Sequence, residues 1–479
     1  MSEDPKIVII GAGPAGLTAA YELVKAGVPT VVLEKDQVVG GISRTVSYKG
    51  YFFDIGGHRF FTKVKRVQEM WSEVLGDEFL HRRRLSRIYY RKKFFYYPLR
   101  PFDTLMKLGL IESVWILGSY FHAQIFPIKE EDTFEQWITN RFGKRLFNTF
   151  FKTYTEKVWG IPCDEIKAEW AAQRIQGLSL LVAARNALFR LWPGNKYGSK
   201  VTTLIGHFDY PKLGPGMMWQ AVEEIIHKEG SEVCLGTAVK KILWDKDKVE
   251  AIEAEHNGRK KIIRGTHFIS SMPIQQLIRM LQPAPPEEVQ KAAQSLRYRD
   301  FLTVAIIVDK ADIFPDNWIY VHDPTVRLGR IQNFKNWSPH MVPDQNKTCL
   351  GLEYFCFEGD ELWSMSDKEL IDLGKRELER LELLQECDVE DGFVVRMPKS
   401  YPMYQGNYRE SLLILRRFFE KLSNFQVVGR NGMHRYNNQD HSMLTSMLAV
   451  ENIFGAEHDL WDVNVGQEYH EEGHKTSSR

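Results

Sequence analysis

A chain of 479 residues is too long for one core, since domains run to about 100–200 residues, so about two or three lobes are expected. Its formal net charge of +1 provides no global field to draw it to nucleic acid, so any polyanion site has to be local. The five cysteines (Cys163, Cys234, Cys349, Cys356 and Cys387) are odd in number and contain no C-x-x-C pair, which argues against a disulfide framework and against a metal site and points to a reducing cytoplasm.

In chain order, Lys6 to Ile10 reads as a short buried strand ending at a glycine, Pro14 to Ala26 as a helix, and Thr30 to Glu34 as a second buried strand. The acidic start at Glu3 and Asp4 runs straight into that first strand, so no signal peptide is expected and the mature protein is expected to begin here. Helical spacing of apolar residues dominates from Val64 to Leu75 and from Phe102 to Phe151, broken near Pro127. The most apolar stretch, Leu105 to Phe126, is interrupted by Lys107, Glu112 and His122, whereas a spanning helix wants roughly 20 nearly uncharged residues. Alternation over Glu232 to Lys241, Leu243 to His256 and Lys260 to Ser270 predicts a β-meander and a return strand. Further strands are predicted at Phe301 to Val308, Trp318 to Val321, Thr348 to Phe357, Gly392 to Arg396 and Gln426 to Arg430. Helices are predicted at Asp367 to Leu384 and Ser442 to Phe454.

Chemistry enters at Gly11-Ala12-Gly13-Pro14-Ala15-Gly16, which follows a predicted strand and opens a predicted helix. Its glycines allow a tight turn and let a pyrophosphate approach the helix N-terminus. Glu34, followed by Lys35, stands 18 residues beyond Gly16, near the spacing at which a carboxylate accepts hydrogen bonds from ribose hydroxyls. Strand, helix and acid in register predict a Rossmann-like dinucleotide-binding unit.

Two further segments, Gly40-Gly41-Ile42-Ser43-Arg44-Thr45 and Gly56-Gly57-His58, join that fingerprint. The combination resembles the FAD-dependent superfamily that includes UDP-galactopyranose mutase, protoporphyrinogen oxidase, phytoene desaturase and monoamine oxidase. The resemblance implies FAD, with Arg44 neutralising pyrophosphate charge and Gly57, His58 and Val239 among the cofactor contacts. Near the C-terminus, Gly429, Arg430, Gly432, Arg435 and Tyr436 are most similar to the mutase motif. There Asn438 and Gln439 replace the mutase Asp-Met pair and Asp440 follows one step later. Tyr154 to Gly160 resembles the mutase segment whose tyrosine and tryptophan hold a uracil ring, which implies Tyr154, Trp159, Arg174, Tyr404 and Tyr436 as substrate contacts. His58 and Arg174 are the candidate catalytic residues, although Phe61 stands where the mutase has its flavin-facing histidine.

The expected architecture is α/β: a discontinuous Rossmann-like FAD domain (1–75, 195–275, 405–462) with an inserted α+β substrate portion. That portion divides into a helical lobe (76–194) and a β-rich lobe (276–404), and a flexible tail (466–479) closes the chain. Two reactions follow from the resemblance. One is a pyranose/furanose isomerisation of a nucleotide sugar in which reduced flavin N5 is the nucleophile, with NAD(P)H as a transient outside donor. The other is oxidation or desaturation of an apolar polyprenoid, porphyrinogen or amine by hydride transfer at N5. The small-molecule partner is accordingly a sugar nucleotide or a lipid-like compound. The basic and aromatic stretch His81 to Tyr97, next to the apolar Phe102 to Phe126, admits three readings: a phosphate site, a peripheral membrane contact, or a β-hairpin with a solvated face.

Overall fold

The computed structural model describes residues 6–168 and 206–464. Its described residues fall into two compact units, one drawn from Met1–Leu80, Asp209–Asp300 and Met397–Gly466, the other from His81–Phe208 and Phe301–Arg396. Each unit has its own apolar core.

In the first unit, strand β1 (Ile7–Ile10), helix α1 (Pro14–Lys25) and strand β2 (Thr30–Leu33) make the βαβ opening. Both strands are buried along their whole length, as their β-branched runs require of a sheet covered on two faces. β1 pairs in parallel with β2 on one side, Ile7 opposite Thr30, and with His267–Ser270 on the other. Phe425–Val427 and Glu232–Cys234 complete a five-stranded parallel sheet at its two edges. This is the α/β, Rossmann-like arrangement expected from the sequence.

The meander differs in its breaks. Its strands run Thr237–Asp245, Lys248–His256 and Arg259–Arg264, so the expected break at Ile242 falls inside a continuous strand. A β-bulge between Val239 and Lys241 shifts the alternation by one residue there and imitates a strand end. Near the C-terminus the expected strand over Gln426 to Arg430 is shorter, because Gly429–Gly432 is a helical turn. The closing helix begins earlier than expected, at Gln439, with Asn438 as its N-cap in a reciprocal capping box with His441.

The second unit is built on a seven-stranded sheet. From one edge its strands are Val389–Pro402, Tyr298–Val308, Thr348–Cys356, Arg330–Asn333, Trp318–Val321, Ser86–Tyr90 and Lys93–Tyr96. Arg330–Asn333 carries too short an apolar run to be visible in the sequence. Ser86–Tyr90 and Lys93–Tyr96 form an antiparallel hairpin within the basic and aromatic stretch. The helices Pro101–Leu108, Leu110–Ile125 and Phe134–Phe142 follow it, the last opened by a Thr133/Gln136 capping box. No described helix is long and apolar enough to cross a membrane.

Candidate functional site

The glycine fingerprint is held by close backbone approach. A Cβ on Gly16 would lie 1.8 Å from the Gly11 carbonyl oxygen, a collision that no rotamer relieves. Gly13 is the N-cap of α1 and offers no side-chain cap, with Pro14 at the first helical position, so the first-turn N–H groups are left for an anion. Glu34 is buried, and its Oε2 accepts from the Ala12 N–H at 2.7 Å while Oε1 accepts from the Asp36 N–H at 2.9 Å. Burial raises its pKa above the ordinary carboxylate range, and the backbone donors at Asp36 and Ala12 oppose that rise.

The other predicted cofactor segments converge on this turn. The Gly40 N–H donates to the Ala12 carbonyl at 2.8 Å, which sets the Gly40-Gly41-Ile42 turn beside the fingerprint. Arg44 pairs with Asp36 at 2.8 Å. The Thr237 N–H donates to the Glu34 carbonyl at 2.7 Å, so Val239, buried at the bulge of the same strand, belongs to this neighbourhood, while Lys35 is exposed. A Cβ on Gly429 would lie 2.8 Å from the Ala15 Cβ, so the C-terminal segment is packed directly on the start of α1. Asn438, Gln439 and Asp440 form the first turn of the closing helix. The Gln439 Nε2 is buried without a hydrogen-bond partner among the described residues, a donor that suits a polar ligand edge. This glycine-lined, donor-rich set fits FAD.

Gly57 and His58 follow a two-stranded hairpin, Thr45–Tyr48 with Tyr51–Asp54. Thr45 opposite Asp54 returns the chain to where Arg44 left it. His58 is half-buried and its Nε2–H donates to the Ile55 carbonyl at 2.9 Å.

Asp54 and Tyr210, to which no sequence motif gives a role, join Thr45 in one network. The Tyr210 hydroxyl and the Thr45 hydroxyl, the latter at 3.0 Å, both donate to the Asp54 carboxylate. The Gly216 N–H donates to the Thr45 oxygen at 3.0 Å and so ties the Gly214-Pro215-Gly216 turn to the hairpin. Burial pushes Asp54 up to about 7. Partners 156 residues apart leave no local signal in the sequence.

The predicted substrate residues fall into two groups. In the first unit the Tyr404 hydroxyl accepts from the Tyr436 N–H at 2.8 Å, and the Tyr436 ring stacks on Tyr401 at 5.5 Å between centroids. The Arg430 guanidinium lies 4.9 Å from the Tyr436 ring centre and donates to the Asn437 carbonyl at 2.8 Å and the Ser400 carbonyl at 3.0 Å. Arg430 is thus a clamp on two backbone segments. In the second unit Tyr154 stacks on His322 at 4.7 Å and 8° between planes, and Trp159 is buried, 4% exposed. The Lys157 ammonium, one turn on, donates to the carbonyls of Val321, Asp323 and Leu328 at 3.3, 2.6 and 3.1 Å. Burial pushes Lys157 down to about 8 and His322 down to about 3. Arg174 lies outside the described residues.

The fold is shared with solved structures of reduced UDP-galactopyranose mutase and of a redesigned putrescine oxidase. The mutase has a TM-score of 0.82 at 23% identity, over 97% of this chain and 98% of that one. The putrescine oxidase has a TM-score of 0.62 at 15% identity, over 94% and 98%. By sequence the chain is similar to the 15-cis-phytoene desaturase of an Oncidium hybrid cultivar, 23% identical over 78% of this chain and 64% of that enzyme. It is 44% identical over 68 residues to an L-amino-acid oxidase of Crotalus adamanteus, a match covering 14% of this chain and 13% of that enzyme's length. The family described as flavin-containing amine oxidoreductase matches residues 14–430. The chain therefore belongs to the flavin-containing amine oxidoreductase family and is an enzyme, and that membership implies FAD.

Proposed function

We propose that this flavoenzyme acts on a nucleotide-linked sugar and exchanges its pyranose and furanose forms in the manner of UDP-galactopyranose mutase, without net oxidation. The observation that carries this reading is the Tyr401, Tyr404 and Tyr436 group, in which phenol rings are held together beside Arg430 of the C-terminal cofactor segment. Such a group has the residue types that recognise a diphosphate. Tyr404 and Tyr436 are assigned to the diphosphate. Tyr154, Trp159 and Arg174 are assigned to the nucleotide portion.

FAD is assigned to Gly11 through Gly16, Glu34, Lys35, Gly40 through Ile42, Arg44, Gly57, Val239, Gly429, Arg430 and Asn438 through Asp440. When bound and reduced, FAD supplies a nitrogen able to attack an electrophilic carbon or to pass hydride. NAD(P)H serves as the transient reductant. His58, held through Nε2 on the Ile55 carbonyl, is assigned as the residue that holds or moves a proton. The place of action is the cytoplasm or the face of a membrane.

A titration of dithionite-reduced protein with UDP and UDP-galactose, followed by flavin absorbance and by assay of the sugar ring form, tests the reading. Saturable binding and ring contraction, both weakened in Tyr404→Phe, are expected. No response to either nucleotide overturns the UDP-sugar form of the proposal. A second reading, hydride exchange with an apolar substrate drawn from a bilayer, is favoured by one specific observation, the outward apolar face of residues 102–128. It predicts flavin reduction or reoxidation by lipid-soluble hydride donors or acceptors in detergent or lipid.

A further inference from the structure

The helices Pro101–Leu108 and Leu110–Ile125 expose much of their apolar surface. Of the sixteen large hydrophobic side chains exposed among the described residues, eleven lie between Phe102 and Ile128. Leu110 is 82% exposed and Trp115 65%. Together with Ile111, Val114 and Ile125 they form an outward stripe at three-and-four spacing, while Ser113, Ile116, Tyr120 and Ala123 turn inward. The buried Ser113 hydroxyl is placed against the carbonyls of Leu105 at 2.9 Å and Gly109 at 2.7 Å, which fixes one helix against the other. Glu112 is the one carboxylate of the longer helix, and Arg145 neutralises it through two hydrogen bonds of 2.6 and 2.7 Å. That outward face carries no Lys, Arg, Asp or Glu.

Basic residues crowd the N-terminal side of the stripe, while Glu130, Glu131 and Asp132 follow its C-terminal end. From Arg82 to Lys129 there are ten Lys and Arg against two Asp and Glu, an excess of eight in a chain whose net charge is +1. The basic turn Arg91-Lys92-Lys93 of the β-hairpin is exposed and is joined to the first helix: Lys93 donates to the Lys107 carbonyl at 2.7 Å and Lys107 to the Phe94 carbonyl at 2.9 Å. Arg100, also exposed, stands over Tyr96 at 3.9 Å. Near the basic turn Asp103 pairs with Lys107 and Glu382 with Lys92, and beyond Lys129 Glu131 pairs with Arg141.

We propose that residues 101–128 dock the protein on the anionic surface of a lipid bilayer, with the apolar stripe at the acyl boundary and the basic turn on the headgroups. An apolar face flanked on one side by cations is the chemistry such a surface selects. A second copy is disfavoured because a two-fold contact would bring the same basic excess against itself. Sixteen residues of helix are about 24 Å long against a hydrocarbon core of about 30 Å, so this helix lies in the interface and does not cross it. The inference stands whichever of the two reactions the enzyme performs.

Flotation of the full-length, FAD-loaded protein with vesicles tests it. Binding to mixed phosphatidylcholine and phosphatidylglycerol vesicles at low salt is expected, with weak binding to phosphatidylcholine alone and release at high salt. The Ile111→Ser/Trp115→Ser variant should lose about tenfold or more of its vesicle-bound fraction with an unchanged flavin spectrum. Should that variant fail to fold, quenching of wild-type fluorescence by brominated acyl chains, lost in Trp115→Phe, reads the same contact. A protein that stays unbound on anionic vesicles at low salt overturns the proposal. So does a serine variant that binds as well as wild type, or one that only converts a dimer to a monomer.

Discussion

The stretches Ile7 to Lys25 and Leu110 to Ile125 are both dominated by apolar side chains, and they end on opposite sides of the solvent boundary. In the first, all four residues of β1 are buried and α1 packs most of its length into the core of its unit. In the second, Leu110, Ile111, Val114, Trp115, Phe121 and Ile125 face outward, while Ser113, Ile116, Tyr120 and Ala123 are buried. Periodicity says that two faces of an element differ, but which face meets water is decided by what packs against it. The first stretch is unambiguous because it also carries glycines that only close packing requires.

Substitutions sharpen this contrast, beginning with the largest expected effect. Gly16→Ala places a methyl carbon against the Gly11 carbonyl, so the variant should lose FAD affinity by about a hundredfold or more, read as flavin absorbance per protein. Ile9→Ala empties a fully buried position and should cost about 2–5 kcal/mol in denaturant unfolding.

A pH test follows. His434 is 0% exposed, its Nε2–H donates to the Met403 carbonyl at 3.2 Å, and burial pushes its pKa down to about 4. Since the unfolded chain binds this proton from about pH 6.5 downward and the folded chain only near pH 4, stability is present above pH 6.5 and falls as the pH drops through that window. The loss should be on the order of 2–3 kcal/mol by pH 4 and should shrink in His434→Gln, measured as melting temperature against pH. His322, pushed down to about 3, acts in the same direction.

Glu34→Gln turns an amide donor toward one of two backbone N–H groups and should weaken FAD binding by about tenfold, read by equilibrium titration of the apoprotein. The smallest effect is expected in the helical hairpin: Trp115→Ser should change unfolding free energy by no more than about 0.5 kcal/mol, because the ring is already in water. A loss of several kcal/mol there would show that the stripe is internal packing and would break the contrast.

What could be read from the sequence follows the same division. The five-stranded parallel sheet and the cofactor turn were legible because they depend on local requirements: a β-branched run, a glycine where a carbonyl passes, an acid at a set distance. The meander boundaries were displaced because the bulge at Val239 breaks the period-two pattern within one strand. The Asp54, Thr45 and Tyr210 network and the Lys157 bonds to the Val321–Leu328 segment join residues more than a hundred positions apart, except within the Thr45 hairpin, and no short window contains them. Tyr154 and Trp159 carry the residue types of a base-stacking pair, but their types do not foretell that one stacks on His322 and the other is buried. The exposed face of Leu110–Ile125 was equally illegible, since a core helix and a surface-docking helix share one apolar period.

The central claim is that the N-terminal turn and the C-terminal Gly429 segment together close on FAD. It is tested most directly by the visible absorption spectrum of the purified chain beside that of Gly429→Ala, with circular dichroism to confirm that both are folded. The wild-type chain should carry stoichiometric FAD, released on denaturation, and the folded variant should be nearly colourless. A folded wild-type chain that binds no flavin, or a variant that keeps its full flavin content, would contradict the claim.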